Sequence, residues 1–368
     1  MKKSVLSVIL AGSMALSLTA CQTGGKSAPA DAAAAAETEA ESQKNALSEE
    51  TVAAEVTITD FDGNSVTLMQ NPKKVAVYDY AILDMLNAVG FEKSGIEQLI
   101  VPTKDKLPEA LSYYREQDDD KVLTGGTMFY VDRDVLDLVQ PDLVILGARS
   151  FAADAAGDSL SAGEKEKMRE DTETRYSKAA FAKLTVNAKD SSLLPDMEKN
   201  VEALAAIFPQ IAPDLEARFG EIKAEVSHIH DKAQASEKRA LFAMMVDQTS
   251  LSVFHPSSRF DMLYEEFGFA PASEEAVEWT DQHGFDVRAE YILQTDPDVI
   301  FLLDRSATVG TGAGADNFLN DPIIKQTRAS QNGDIYVLSG DAWYTMTGGF
   351  NSVETMIADI NQYIKKLN

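Results

Sequence analysis

The 368-residue chain has one cysteine, Cys21, four histidines, and far fewer cationic than anionic side chains, 33 against 59, for a formal net charge of −26. A lone cysteine excludes an intramolecular disulfide and any metal site built from several thiolates. The charge excludes nucleic acid as a natural partner, because such a surface repels a phosphate backbone. There is no His-Glu-x-x-His zinc motif, no P-loop and no Gly-x-Ser-x-Gly nucleophile elbow, which removes common sequence routes to hydrolysis and nucleotide chemistry. The histidines do little to restore them. His228 and His230 are two apart on a predicted helix, so they point about 200° apart and cannot share a metal. His255 lies beside Pro256 in a turn and is undecided. His283, in Trp279-Thr280-Asp281-Gln282-His283-Gly284, is either loop surface or functional. A surface hydrolase using His283 with an aspartate, or a passive adhesion protein, therefore stays open on composition alone.

An apolar run from Val5 to Leu18 follows Lys2 and Lys3 and ends at Leu18-Thr19-Ala20-Cys21. It is too short to span a bilayer as a mature helix and reads as an export signal over residues 1–20. The small residues before Cys21 resemble a bacterial lipobox, which implies lipid on that cysteine and a soluble domain held at a membrane surface. Residues 21–55 are rich in Ala, Gly, Ser and Glu with almost no large apolar side chain, and read as a flexible tether.

Beyond the tether, two stretches repeat one pattern: Gln140-Pro141-Asp142-Leu143-Val144-Ile145-Leu146-Gly147-Ala148-Arg149 and Asp296-Pro297-Asp298-Val299-Ile300-Phe301-Leu302-Leu303-Asp304-Arg305. In each, Pro-Asp closes a helix and a short, continuous apolar run follows, the signature of a strand buried on both faces of a parallel sheet. Two such units predict two α/β lobes, an N-terminal one over 56–190 and a C-terminal one over 238–368, joined by helices within 191–237 that act as a rigid link. Ligands of open parallel sheets bind beyond the carboxyl ends of the strands, so Arg149 and Arg305 are expected to look into a shared cleft that favours an anion.

Other elements are legible. Alternation around Asp62-Gly63 predicts a hairpin over 56–68. A strand from Lys74 to Tyr78 is followed by a helix ending at Gly90, and Arg239 to Val246 is a buried strand. The last strand runs from Ile335 to Leu338 and the last helix from about Val353 to Lys366. The polar stretch after Ser150, to about Asp190, reads as a surface insertion. Gly310-Thr311-Gly312-Ala313-Gly314 reads as a mobile loop with no convincing helix after it. A third arginine, Arg259, falls where a helix begins after Phe254-His255-Pro256. The aromatic loop Ala342-Trp343-Tyr344 is equally suited to covering the sheet end or to forming one wall of a cleft.

In this order, Asn71-Pro72-Lys73-Lys74-Val75 with Leu83-Asp84, Gly147-Ala148-Arg149, Ser258-Arg259-Phe260, His283-Gly284, Asp304-Arg305 and Trp343-Tyr344 before Gly348-Gly349 resemble the ferric-siderophore-binding lipoproteins of bacterial ABC importers. More narrowly they resemble the catecholate or petrobactin type. The resemblance implies a two-lobed periplasmic-binding-protein fold, no enzymatic activity, and no permanent cofactor. It implies an iron(III)-siderophore as transported ligand, an ABC permease with its ATPase as partner, and a monomer anchored to the membrane. It places an arginine triad on Arg149, Arg259 and Arg305 around the ligand, with Trp343 and Tyr344 lining the cleft. His283 and Tyr344 fall where some members complete the iron's coordination shell. Haem, a corrinoid or another siderophore is the alternative ligand. Two departures stand out: Asp261 occupies a position where glycine commonly follows Ser-Arg-Phe, and Asp281-Gln282 precedes His283 in place of a small or hydroxyl residue.

Overall fold

A computed structural model describes residues 54–186, 193–273 and 284–367. The chain opens with a hairpin, β1 (Glu55–Thr59) and β2 (Ser65–Met69), whose inward Ile58 and Leu68 are buried. The first lobe then builds from β3 (Lys74–Val77), α1 (Tyr80–Ala88), β4 (Gln98–Val101), β5 (Val122–Thr124), α2 (Arg133–Val139), β6 (Leu143–Leu146), α3 (Ala162–Arg175) and β7 (Ala180–Lys183). Its sheet is parallel throughout, in the order β5-β4-β3-β6-β7. Composition sorts these strands. The all-apolar β6 is an interior strand buried along its whole length, whereas β5 and β7, with polar or small residues, lie at the edges.

Two long helices follow, α4 (Leu193–Ile207) and α5 (Ala212–Ser236), packed against each other. The second lobe contains β8 (Arg239–Met245), β9 (Leu251–Phe254), β10 (Ala270–Pro271), β11 (Phe285–Val287), α6 (Ala289–Thr295), β12 (Val299–Asp304), α7 (Ala315–Asn320), β13 (Ile335–Val337) and α8 (Phe350–Ile364). Its sheet runs β11-β9-β8-β12-β13, with β10 also on β8; β9 is antiparallel to both its neighbours and the other pairs are parallel. One apolar cluster continues from the first sheet through α4, α5 and α8 to the second, so the link between the lobes is packed, not merely tethered. At the same junction Asp84 on α1 accepts the Ser352 amide (2.9 Å) and the Asn351 side-chain amide (2.7 Å) at the start of α8. Among the described residues no helix is long and apolar enough to cross a membrane.

The two repeated units close their helices alike. Gln140 and Asp296 both take a left-handed conformation, φ 52° and 44°, and both donate their amides back into the helix before the proline. Two readings of local sequence need correction. The stretch after Ser150 is not all surface insertion. Its helix α3 starts with a capping box, Ser161 with Glu164, and its far end supplies β7, whose partners on β6 bring Ala182 into the core. That strand is short and alanine-rich, so pairing decides it, not hydrophobicity. The glycine-rich loop does precede a helix, α7, and Asp304 fastens it by accepting the Gly314 and Ala315 amides at 2.7 and 2.8 Å.

Candidate functional site

The topology of the first sheet creates a crevice. The chain steps outward from β3 to β4 and β5 and then returns to β6 on the other side of β3, so the loops after β3 and β6 diverge at a switch point. Tyr78, Asp79 and Tyr80 follow β3. Asp79 caps α1 by accepting the amides of Ala81 (2.9 Å) and Ile82 (3.3 Å). Gly147, Ala148 and Arg149 follow β6 in a turn closed by Ser150, whose hydroxyl accepts the Gly147 amide at 3.0 Å. In the second lobe Arg259 follows β9 and Arg305 stands immediately after β12. Tyr344 rides on a single π-helical turn, Asp341–Thr345, beyond β13.

The three arginines converge on Tyr344. Arg149 donates to its main-chain carbonyl (3.0 Å), Arg259 donates to the same carbonyl (2.9 Å), and Arg305 donates to its hydroxyl (2.8 Å). The guanidinium carbons lie 5.4, 4.1 and 5.6 Å from the ring centroid, within cation–π range. Arg305 is further held by the Val246 carbonyl at 3.1 Å. Gly348 brings the loop against the first lobe: at φ 97° it adopts a conformation suited to glycine, and a Cβ there would lie 2.2 Å from the Val186 methyl.

Electrostatics follow from this crowding. Burial and the like charge of Arg149 pull Arg259 down to about 10. Burial pushes the Tyr344 phenol up, but the charges of Arg259 and Arg305 and their hydrogen bonds more than offset it, leaving the phenol below its ordinary value. Burial holds the Asp79 carboxyl above the usual range, against the hydrogen bond from Thr185. Next to the cluster is a cavity of about 100 Å³, bordered by Tyr78, Asp79, Tyr80, Met128, Gly147 and Arg149 from the first lobe and by Arg259, Phe260, Met262, Tyr344 and Thr347 from the rest of the chain. Sites for small molecules usually measure about 300 Å³ or more. This cavity is smaller than that.

The structure thus brings Arg149, Arg259, Arg305 and Tyr344 together, with two corrections. Arg305 stops at the Tyr344 hydroxyl and does not border the cavity. Trp343 does not line the cleft. It is fully buried, donates from Nε1 to Asp359 (3.0 Å), and packs on Phe242 and Phe267. The same turn places Trp343 in the core and Tyr344 at the cavity. His283 and Cys21 lie outside the described residues. His255 is buried near the Tyr291 hydroxyl, and His228 is exposed on α5. Among the described residues no cluster of three or more His, Cys, Asp or Glu could hold a metal. Sequence reasoning missed Asp79 and Met128. The first had a usable signal, a polar residue directly after a buried strand; the second had none.

Residues 75–342 match the family described as periplasmic binding protein. The chain belongs to that family. Among curated members of similar sequence is the petrobactin-binding protein YclQ of Bacillus subtilis (strain 168), 28% identical over 309 residues, 83% of this chain and 86% of that one. The ferric-anguibactin-binding protein FatB of Vibrio anguillarum is 25% identical over 80% of this chain and 83% of its own. Among solved structures, the periplasmic catecholate-siderophore binding protein VctP from Vibrio cholerae superposes with a TM-score of 0.70 at 26% identity, covering 84% of this chain and all of that one. The arginine cluster lies where side chains of the two lobes meet.

Proposed function

We propose that the chain is the substrate-binding component of an ABC-type importer for an anionic iron(III)-siderophore, of the catecholate type, delivered unaltered to a permease and its ATPase. The observation that carries this reading is the convergence of Arg149, Arg259 and Arg305 on one point between the lobes of a strongly acidic protein. Like charges so close together are costly unless an anion or an electron-rich group sits among them, and in this structure Tyr344 takes that place. Iron(III) is a hard ion, and its catecholate complexes are anionic because several phenolates are deprotonated. At ~5 Å and an effective dielectric of about 20, each arginine contributes roughly 3 kcal/mol of Coulomb attraction before desolvation. Three of them overcome the long-range repulsion of the surface. Arginine suits the role better than lysine, since its planar fork bonds paired oxygens and stacks on rings. The ligands in the names of the similar proteins, petrobactin and a catecholate siderophore, support the same reading.

In this reading Tyr344 supplies a phenolate to iron when the siderophore offers only four donors, and His283 supplies an imidazole. Lipid on Cys21 anchors the protein on the outer face of the membrane. The deciding experiment is equilibrium titration of the purified protein with ferric bis-catecholate, ferric tris-catecholate, a ferric hydroxamate and haem, read by intrinsic fluorescence. Submicromolar binding of a catecholate complex with weak binding of the others supports the proposal. Uptake of haem alone, or of nothing, overturns it.

A further inference from the structure

The cavity beside the arginines is not uniformly cationic. Asp79 lies on its wall, half-buried, in a site otherwise arranged for an anion. Its helix-capping duty falls on one oxygen: Oδ1 accepts the Ala81 and Ile82 amides. Oδ2 receives the Thr185 hydroxyl at 3.1 Å, and Thr185 also borders the cavity. Nothing separates Oδ2 from the loop that carries Arg149, since a Cβ on Gly147 would lie 2.7 Å from it. Asparagine or serine would cap the helix as well as aspartate does. The cap therefore does not account for a carboxyl group at this position.

We infer that Asp79 determines specificity, selecting iron complexes that carry an ammonium or similar cationic group beside their anionic metal centre. The complex then lies with its oxygens toward Arg149 and Arg259 and its cation toward Asp79. This rests on the anionic-siderophore reading above and adds the chemistry of the part of the ligand away from the metal.

The test uses two ferric bis-catecholamides that differ at one atom of the linker, a secondary amine in one and a methylene in the other. Wild type is expected to bind the amine complex more tightly. In Asp79→Asn, which keeps the cap, that preference should fall about tenfold, the effect of one charge-assisted contact, with the methylene complex binding more tightly than before. Asp79→Ser should behave alike, and circular dichroism confirms that either variant is folded. If wild type binds neither complex, the siderophore reading itself fails. If both bind and the variants keep the full amine preference, or lose both complexes equally, Asp79 only positions α1 and the inference is overturned.

Discussion

Arg149, after β6 of the first lobe, donates to the main-chain carbonyl of Tyr344, beyond β13 of the second, at 3.0 Å. Arg259 donates to that same oxygen at 2.9 Å, so one carbonyl holds two guanidinium groups from opposite sides of the cleft. All three arginines are engaged by Tyr344, two at its carbonyl and Arg305 at its hydroxyl.

Replacing Arg149 with alanine should weaken binding of a ferric catecholate by roughly 10- to 100-fold, the worth of one charge-assisted hydrogen bond. It should also speed amide exchange over residues 344–347 in the ligand-free protein, because the contact that pins this loop to the first lobe is lost. Fluorescence titration and hydrogen exchange measure the two effects. Wild-type affinity in the variant would mean that the ligand site lies elsewhere.

Tyr344→Phe removes the hydroxyl that Arg305 holds at 2.8 Å. A tetradentate ferric complex should then lose the tyrosinate charge-transfer band in its visible spectrum and bind less tightly, while a hexadentate complex is far less affected. His283→Ala should discriminate between the two complexes in the same sense. Equal losses for both ligand classes would reduce these side chains to cleft lining.

Trp343→Phe is expected to act on stability and not on binding. The indole fills the core against Phe242 and Phe267, and its N–H serves the buried Asp359 carboxylate. Removing it leaves a void and an under-satisfied acid, at a cost of about 2 to 4 kcal/mol in denaturant unfolding. A large loss of ligand affinity with unchanged stability would contradict this placement.

Glu266 gives stability a pH dependence. Burial pushes its carboxyl up to about 7 from an ordinary 4.5, against amides of Leu194 and Leu193 that favour the charged form. The folded state therefore holds a proton that the unfolded state releases. This contribution is fully present below about pH 4.5 and is lost as pH rises through about 7, an effect on the order of 3 kcal/mol. Glu266→Gln keeps an acceptor for those amides and cannot ionise. It should be more stable than wild type at pH 8, with the difference shrinking toward pH 5. Parallel stability curves for the two proteins would remove Glu266 as the cause.

What local pattern encodes was readable from the chain. Runs such as Val299–Leu303 read as central strands, since five consecutive apolar residues must be covered on both faces. The Pro-Asp pairs fix where each helix stops and each strand starts, and the arginines follow at the strand ends, where open parallel sheets place ligands. Arg149 and Arg305 were legible for that reason, whereas Arg259 and Tyr344 were drawn to the site only by the family resemblance.

Tertiary structure alone decided how those residues are used. Which of Trp343 and Tyr344 faces the cleft depends on the phase of a single helical turn, and that phase is set by the core packing of Trp343. The strand identity of Ala180–Lys183 comes from pairing with β6, a contact across 37 positions that no local propensity announces. Most of all, the sequence by itself determined that three cations lie at loop positions suited to an anion, while the joining of two lobes decided that they meet on one tyrosine. Side-chain identity specifies charge, but the distances between charges far apart in the chain exist only once the apolar cores are packed.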